Sequence, residues 1–97
     1  MFARVSTIKG LPNRVEDGIR QFREQVLPAG RKFTGFKGAY LLVDRHSGKF
    51  VGITLWETEK ALQASAAAAD QLRAQATKAA AAPKPPTVEI YEVAAQG

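Results

Sequence analysis

The chain has no cysteine, which excludes a disulfide framework, a cysteine-ligated zinc site and a thiol nucleophile together. It has one histidine, His46, too few for a multi-histidine metal site. No apolar run approaches the roughly 20 residues of a membrane-spanning helix. The start, Met1-Phe2-Ala3-Arg4, lacks the basic stretch and apolar core of a signal peptide. The expected compartment is therefore the cytoplasm, with no membrane partner. No Gly-x-Ser-x-Gly elbow, phosphate loop or dinucleotide glycine pattern occurs. Aromatic residues make up only 8% of the chain, so the face on which each ring falls carries weight.

What is present is ordinary for a folded protein. Hydrophobic residues are 45% and charged residues 24% of 97, which argues for a globular chain rather than a disordered one. The length suits one domain over residues 1–97, with a core of modest size. Fourteen Lys and Arg against nine Asp and Glu give a net +5, and the basic excess lies in residues 1–50. Such a balance fits an anionic partner, but the basic residues are scattered among acids apart from Arg31-Lys32, which favours a solvated surface.

Residues 2–9 are rich in β-branched side chains and end at Gly10-Leu11-Pro12, which predicts a strand. Asn13 is placed to cap a helix, with Glu16 as its reciprocal partner. Val15, Ile19, Phe22 and Val26 line one face of that helix, and Glu16–Arg20 and Arg20–Glu24 pair on the other. Gly18 weakens it, and Pro28 and Gly30 are expected to stop it. Two strands, about 36–44 and 50–56, flank the polar turn Asp44–Lys49 and predict a hairpin, with His46 solvated in the turn. Thr58 caps a helix running to about 80, striped by Leu62, Ser65, Ala69, Leu72 and Ala76. Three prolines among residues 83–86 close it off, and residues 87–93 form the last strand. The order βαββαβ is the ferredoxin-like α+β arrangement, with a four-stranded antiparallel sheet covered by helices on one face.

Alternation along a strand divides its side chains between two faces. Val51, Ile53 and Leu55 are uniformly aliphatic and are assigned to the helix-facing core, with Ala39, Leu41 and Val43. The other face then carries Tyr40, Leu42, Phe50, Trp56, Tyr91 and Val93, too apolar to stand in water. A homodimer closing two sheets face to face would cover it. Gly38 and Gly52 would leave space inside, and Arg4, Ser6, Tyr40, Thr54, Trp56 and Tyr91 would supply polar atoms to a ligand cavity.

The stretches Gly35-Phe36-Lys37-Gly38-Ala39-Tyr40-Leu41-Leu42-Val43-Asp44, Gly52-Ile53-Thr54-Leu55-Trp56-Glu57-Thr58 and Val88-Glu89-Ile90-Tyr91-Glu92-Val93 resemble the antibiotic-biosynthesis-monooxygenase-like family. The resemblance implies a homodimeric α+β barrel. Some members oxidise electron-rich aromatics to quinones with dioxygen, without metal or flavin, so no cofactor is expected. Trp56 stands where members often carry a tryptophan. Trp56 and Tyr40 are the candidate catalytic residues, with Arg4, Ser6, Phe50, Thr54 and Tyr91 as candidate substrate-binding residues. Haem-degrading relatives use a histidine on the second helix, and residues 58–82 contain none.

The main rival is an RNA-recognition module of the same element order. It needs a basic-Gly-aromatic-small-aromatic third strand, and Lys49-Phe50-Val51-Gly52-Ile53 has an aliphatic where the second ring belongs. No nucleic-acid partner is therefore expected. The expected ligand is a small aromatic or hydrophobic molecule. Two functions stay open: oxygenation of that ligand, or its binding by a non-catalytic dimeric accessory protein.

Overall fold

The computed structural model describes residues 1–97. The chain runs β1 (Phe2–Lys9), a 3-10 turn (Pro12–Arg14), α1 (Val15–Gln21), a π-helical segment (Phe22–Val26), α2 (Leu27–Arg31), β2 (Phe36–Asp44), β3 (Lys49–Trp56), α3 (Glu59–Ala64), α4 (Ala66–Ala79) and β4 (Thr87–Glu92). All neighbouring strands are antiparallel, in the order β2-β3-β1-β4, as the βαββαβ reading requires. No helix is long and apolar enough to cross a membrane.

The first helical region differs from expectation at both ends. Its N-terminus is the 3-10 turn, with Arg14 rather than Asn13 at the cap and no side-chain cap bond. It also continues past Pro28 to Arg31. Proline lacks an N–H, and the first turn of a helix does not need one. The chain accommodates Pro28 by widening the preceding turn, where the Leu27 N–H reaches back five residues to the Phe22 carbonyl. Glu16 pairs with Arg45 across to the hairpin, and Arg14 and Arg20 both pair with Asp17, replacing the expected pairs along the helix.

Gly18 has a packing role. A Cβ there would lie 2.4 Å from the Phe50 ring, so the glycine lets α1 settle on the sheet. Phe50, Ile8, Val15 and Ala80 form the buried cluster at that end.

The second helical region breaks where a single helix is expected. Thr58 caps α3, its Oγ1 accepting from the Ala61 N–H at 3.0 Å. The Leu62 carbonyl then accepts from Ser65 N, from Ser65 Oγ and from the Arg4 guanidinium, and the helix bends at Ser65. The helix restarts as α4 and ends at Ala79, four residues before Pro83 and ahead of the prolines. Ala81 adopts a left-handed conformation (φ 53°), with Ala81 N–H bonded to Lys78 and Ala82 N–H to Thr77. This is a Schellman closure with alanine in the usual glycine position.

The strand faces require the largest correction. Phe50, Gly52, Thr54 and Trp56 face the helices, with Arg4, Ser6 and Ile8 beside them through the pairs Arg4↔Thr54, Ser6↔Gly52 and Ile8↔Phe50. Val51, Ile53 and Leu55 lie on the outer face with Tyr40 and Leu42. The reason is size complementarity. Gly18 on α1 leaves room for the Phe50 ring, and Phe33 and Phe36 pack edge-on around Trp56. A bulge between Phe36 and Gly38 brings Phe36 to the helix side against Trp56.

Candidate functional site

The sheet and the helices do not close completely. A partly open cavity of about 100 Å³ lies between β1 and β3 below and α1, the π-helical segment and α4 above. Three sequence features create it. Gly52 has no side chain to fill the floor, and the nearest atom to a Cβ built there is Phe22 Cε2 at 3.6 Å. Ala68, Ala69 and Ala76 reach only a short way down from α4. The π-helical segment carries Phe22 and Val26 into the wall.

The cavity has a polar end and an apolar end. Arg4 and Ile8 are four residues apart on β1, roughly 13 Å along the strand. At the Ile8 end stand Phe50 and Ala80. At the Arg4 end stand Trp56, Thr54, Ser65 and Arg73. Arg4 is only 5% exposed. It donates Nη1 to Ser65 Oγ at 3.1 Å and Nη2 to the Leu62 carbonyl at 2.8 Å, and no carboxylate pairs with it. Burial first, then the charge of Arg73, lowers its pKa from the ordinary arginine value, while Asp70 acts in the opposite sense. An arginine so perturbed still keeps its proton at neutral pH. Arg73 is itself tied to Asp70.

Trp56 is 2% exposed. Its ring packs edge-on against Phe36 and Phe33, at centroid distances of 5.4 and 6.2 Å. The indole N–H donates to Thr54 Oγ1 at 3.0 Å. Thr54 therefore accepts from Trp56 and retains its own hydroxyl proton to donate.

Of the residues selected from the sequence, Arg4, Ser6, Phe50, Thr54 and Trp56 line this one cavity. Tyr40 and Tyr91 do not. They are 60% and 51% exposed on the other side of the sheet, and the Tyr91 hydroxyl donates to Glu89 at 2.7 Å. Strand parity explains the separation, because Tyr40 pairs with Ile53 and Tyr91 with Ala3, both outward. The cavity is thus formed within one chain, not between two sheets. Arg73, Ser65 and Phe22 also belong to the site; the sequence pattern puts Phe22 and Ser65 on helix stripes without marking them as ligand-facing, and it does not single out Arg73. The i,i+4 and i,i+8 spacing of Ala69 and Arg73 from Ser65, on one helical face, is the signal that could have found Arg73. His46 is exposed in the hairpin turn, as expected. No group of three His, Cys, Asp or Glu side chains lies close enough together to hold a metal ion.

No family model matches the sequence. Two uncharacterized proteins of Mycobacterium tuberculosis H37Rv are similar, one 34% identical over 95 residues and the other 42% identical over 65. These alignments span 42% and 28% of those relatives' own lengths and 98% and 67% of this chain. Among solved structures, the monooxygenase from the gene ActVA-Orf6 of Streptomyces coelicolor, in complex with Nanaomycin D, superposes with a TM-score of 0.81 at 19% identity. That match covers 98% of this chain and 88% of the other. A protein assigned as an antibiotic biosynthesis monooxygenase from Deinococcus radiodurans superposes with a TM-score of 0.73 at 18% identity, covering 99% and 95%.

Proposed function

We propose that this chain, which has the fold of the antibiotic biosynthesis monooxygenases, binds a small aromatic molecule between its sheet and its helices and oxygenates it. The observation that carries the reading is the cavity itself, apolar along most of its length and polar at the end held by Arg4, Thr54 and Trp56. A ring fits against Phe50 and Phe22, and its hydroxyl meets the polar end. The Arg4 charge stabilises the phenolate over the phenol. Thr54, polarised by the Trp56 indole, donates to a ligand oxygen. Burial keeps water away from the electron-rich ring.

The overall reaction balances as phenol plus dioxygen giving quinone plus water. One oxygen atom becomes the new ring carbonyl. The other leaves as water with the displaced ring hydrogen and the phenolic proton. The phenolate supplies the electrons.

Binding without catalysis is the second reading, and a specific observation favours it: no carboxylate or histidine lines the cavity to act as a base. Oxygen uptake separates the two. Oxygenation predicts that 1,5-dihydroxynaphthalene under air consumes oxygen faster with protein than in buffer. Uptake equal to buffer across several dihydroxy-aromatics that demonstrably bind leaves the accessory reading in place.

The outer sheet face is assigned to a second copy of the chain. Tyr40, Leu42 and Tyr91 are exposed there beside Val51, Ile53 and Leu55, an apolar surface of the kind that protein partners cover.

A further inference from the structure

Arg4 is a buried cation without a counter-ion. A guanidinium has five N–H groups, and the protein accepts from two of those on Arg4 through the neutral Ser65 hydroxyl and Leu62 carbonyl. None of the 22 residues lining the cavity is acidic, and a second lining cation, Arg73, shares the polar end. Arg73 has a partner in Asp70, which is exposed and lies outside the cavity wall. The three groups together leave one net positive charge facing the ligand space. An uncompensated buried charge is costly, and proteins that keep one generally pair it.

We propose that the ligand supplies the missing charge as an aromatic carboxylate, its ring toward Phe50 and its carboxylate at Arg4 and Arg73. This rests on the cavity being the ligand site. A carboxylate suits the position better than a phenol alone. At neutral pH a carboxylic acid is already ionised, whereas only about one phenol in a thousand is. The planar guanidinium also matches the two carboxylate oxygens, and charge-assisted bonds of this kind are short and strong. On a substrate with both groups the carboxylate takes Arg4 and Arg73, and a hydroxyl on the adjacent ring carbon stays at the same polar end beside Thr54. The excess of basic residues over the whole chain favours the approach of such an anion.

The test compares 2-naphthoate with its neutral isostere 2-naphthamide, by calorimetry and by fluorescence of Trp56, the only tryptophan. The proposal predicts that naphthoate binds the wild-type protein at least tenfold more tightly and perturbs Trp56 emission. Arg4→Gln brings the two affinities within about twofold by weakening naphthoate alone, and Arg73→Gln narrows the gap. Should Arg4→Gln fail to fold, the wild-type ratio and Arg73→Gln decide the matter. Equal binding of acid and amide overturns the carboxylate anchor and leaves the cavity reading intact. A naphthoate preference that survives both substitutions places the anion elsewhere and overturns it too. Binding of neither compound overturns the cavity reading and the anchor together.

Discussion

The Arg4 guanidinium carbon stands 5.9 Å from the centroid of the Trp56 ring, and both side chains are buried. This is cation–π range, so the ring offers the charge partial compensation that no carboxylate gives. The pair joins the two halves of the site. Arg4 ties β1 to the bend between α3 and α4 through Ser65 and Leu62, and Trp56 ties the end of β3 to Phe33 and Phe36.

Trp56 should therefore matter to stability as much as to function. Trp56→Ala removes a side chain that is 2% exposed and is expected to cost about 3–5 kcal/mol, measured by urea unfolding. A loss of a few tenths would show that the ring is not packed as described. Trp56→Phe retains most of the packing but removes the N–H held by Thr54, so it should impair ligand turnover more than stability.

Two glycines on facing elements predict opposite responses to the same change. Gly18→Ala drives a Cβ to 2.4 Å from the Phe50 ring, whereas Gly52→Ala meets Phe22 at an ordinary 3.6 Å. Overpacking costs about 1–3 kcal/mol, against a helix-propensity gain of about 1 kcal/mol at position 18. Thermal melts should show Gly18→Ala destabilised. Gly52→Ala should stay near wild type while binding ligand more weakly, because its methyl occupies cavity floor. A stabilised Gly18→Ala would show that Phe50 does not press on α1.

The assignment of the outer face is tested at Leu42, which is 52% exposed and whose substitution should spare the fold of the single chain. Leu42→Glu is expected to convert a dimer into a folded monomer, read by native mass spectrometry and circular dichroism. A wild-type protein already monomeric at micromolar concentration would remove the second copy from the account.

The hairpin turn predicts an acid-sensitive contribution. Backbone N–H groups of His46 and Ser47 donate to the Asp44 carboxylate and, with the Ser47 side chain, hold its pKa below the ordinary value. A carboxylate depressed on folding stabilises above its unfolded pKa near 4, and that contribution disappears as pH falls through the lower folded value. The stability gap between wild type and Asp44→Ala should hold from neutral pH down to about 4 and close below it. A gap independent of pH would show that the turn does not depend on the charge.

Much of this was legible in the sequence, and the part that was not has one cause. The βαββαβ order, the hairpin about Gly48 and the Thr58 cap follow from local periodicity and turn chemistry. Which face of β3 turns inward does not. Val51-Ile53-Leu55 and Phe50-Gly52-Thr54-Trp56 are both apolar enough to be buried, and alternation alone cannot rank them. The deciding information lies in other elements: Gly18 on α1 leaves room for the Phe50 ring, and Phe33 and Phe36 flank Trp56. Five of the seven selected site residues still share one cavity, because the register that joins Arg4, Ser6, Thr54, Phe50 and Trp56 holds whichever way their face turns. Tyr40 and Tyr91 separate from them because they sit on the opposite parity. Arg73 was hidden because a single arginine among alanines reads as a solvated helix residue.

Whether the ligand sits under the helices or on the outer sheet is decided by a single NMR measurement. With 2-naphthoate bound to methyl-labelled protein, nuclear Overhauser contacts from the ligand ring should reach Ala69, Leu72 and Leu41, which line the cavity. Contacts to Leu42, Val51 and Ile53, with none to Ala69 or Leu72, would place the ligand on the outer face instead.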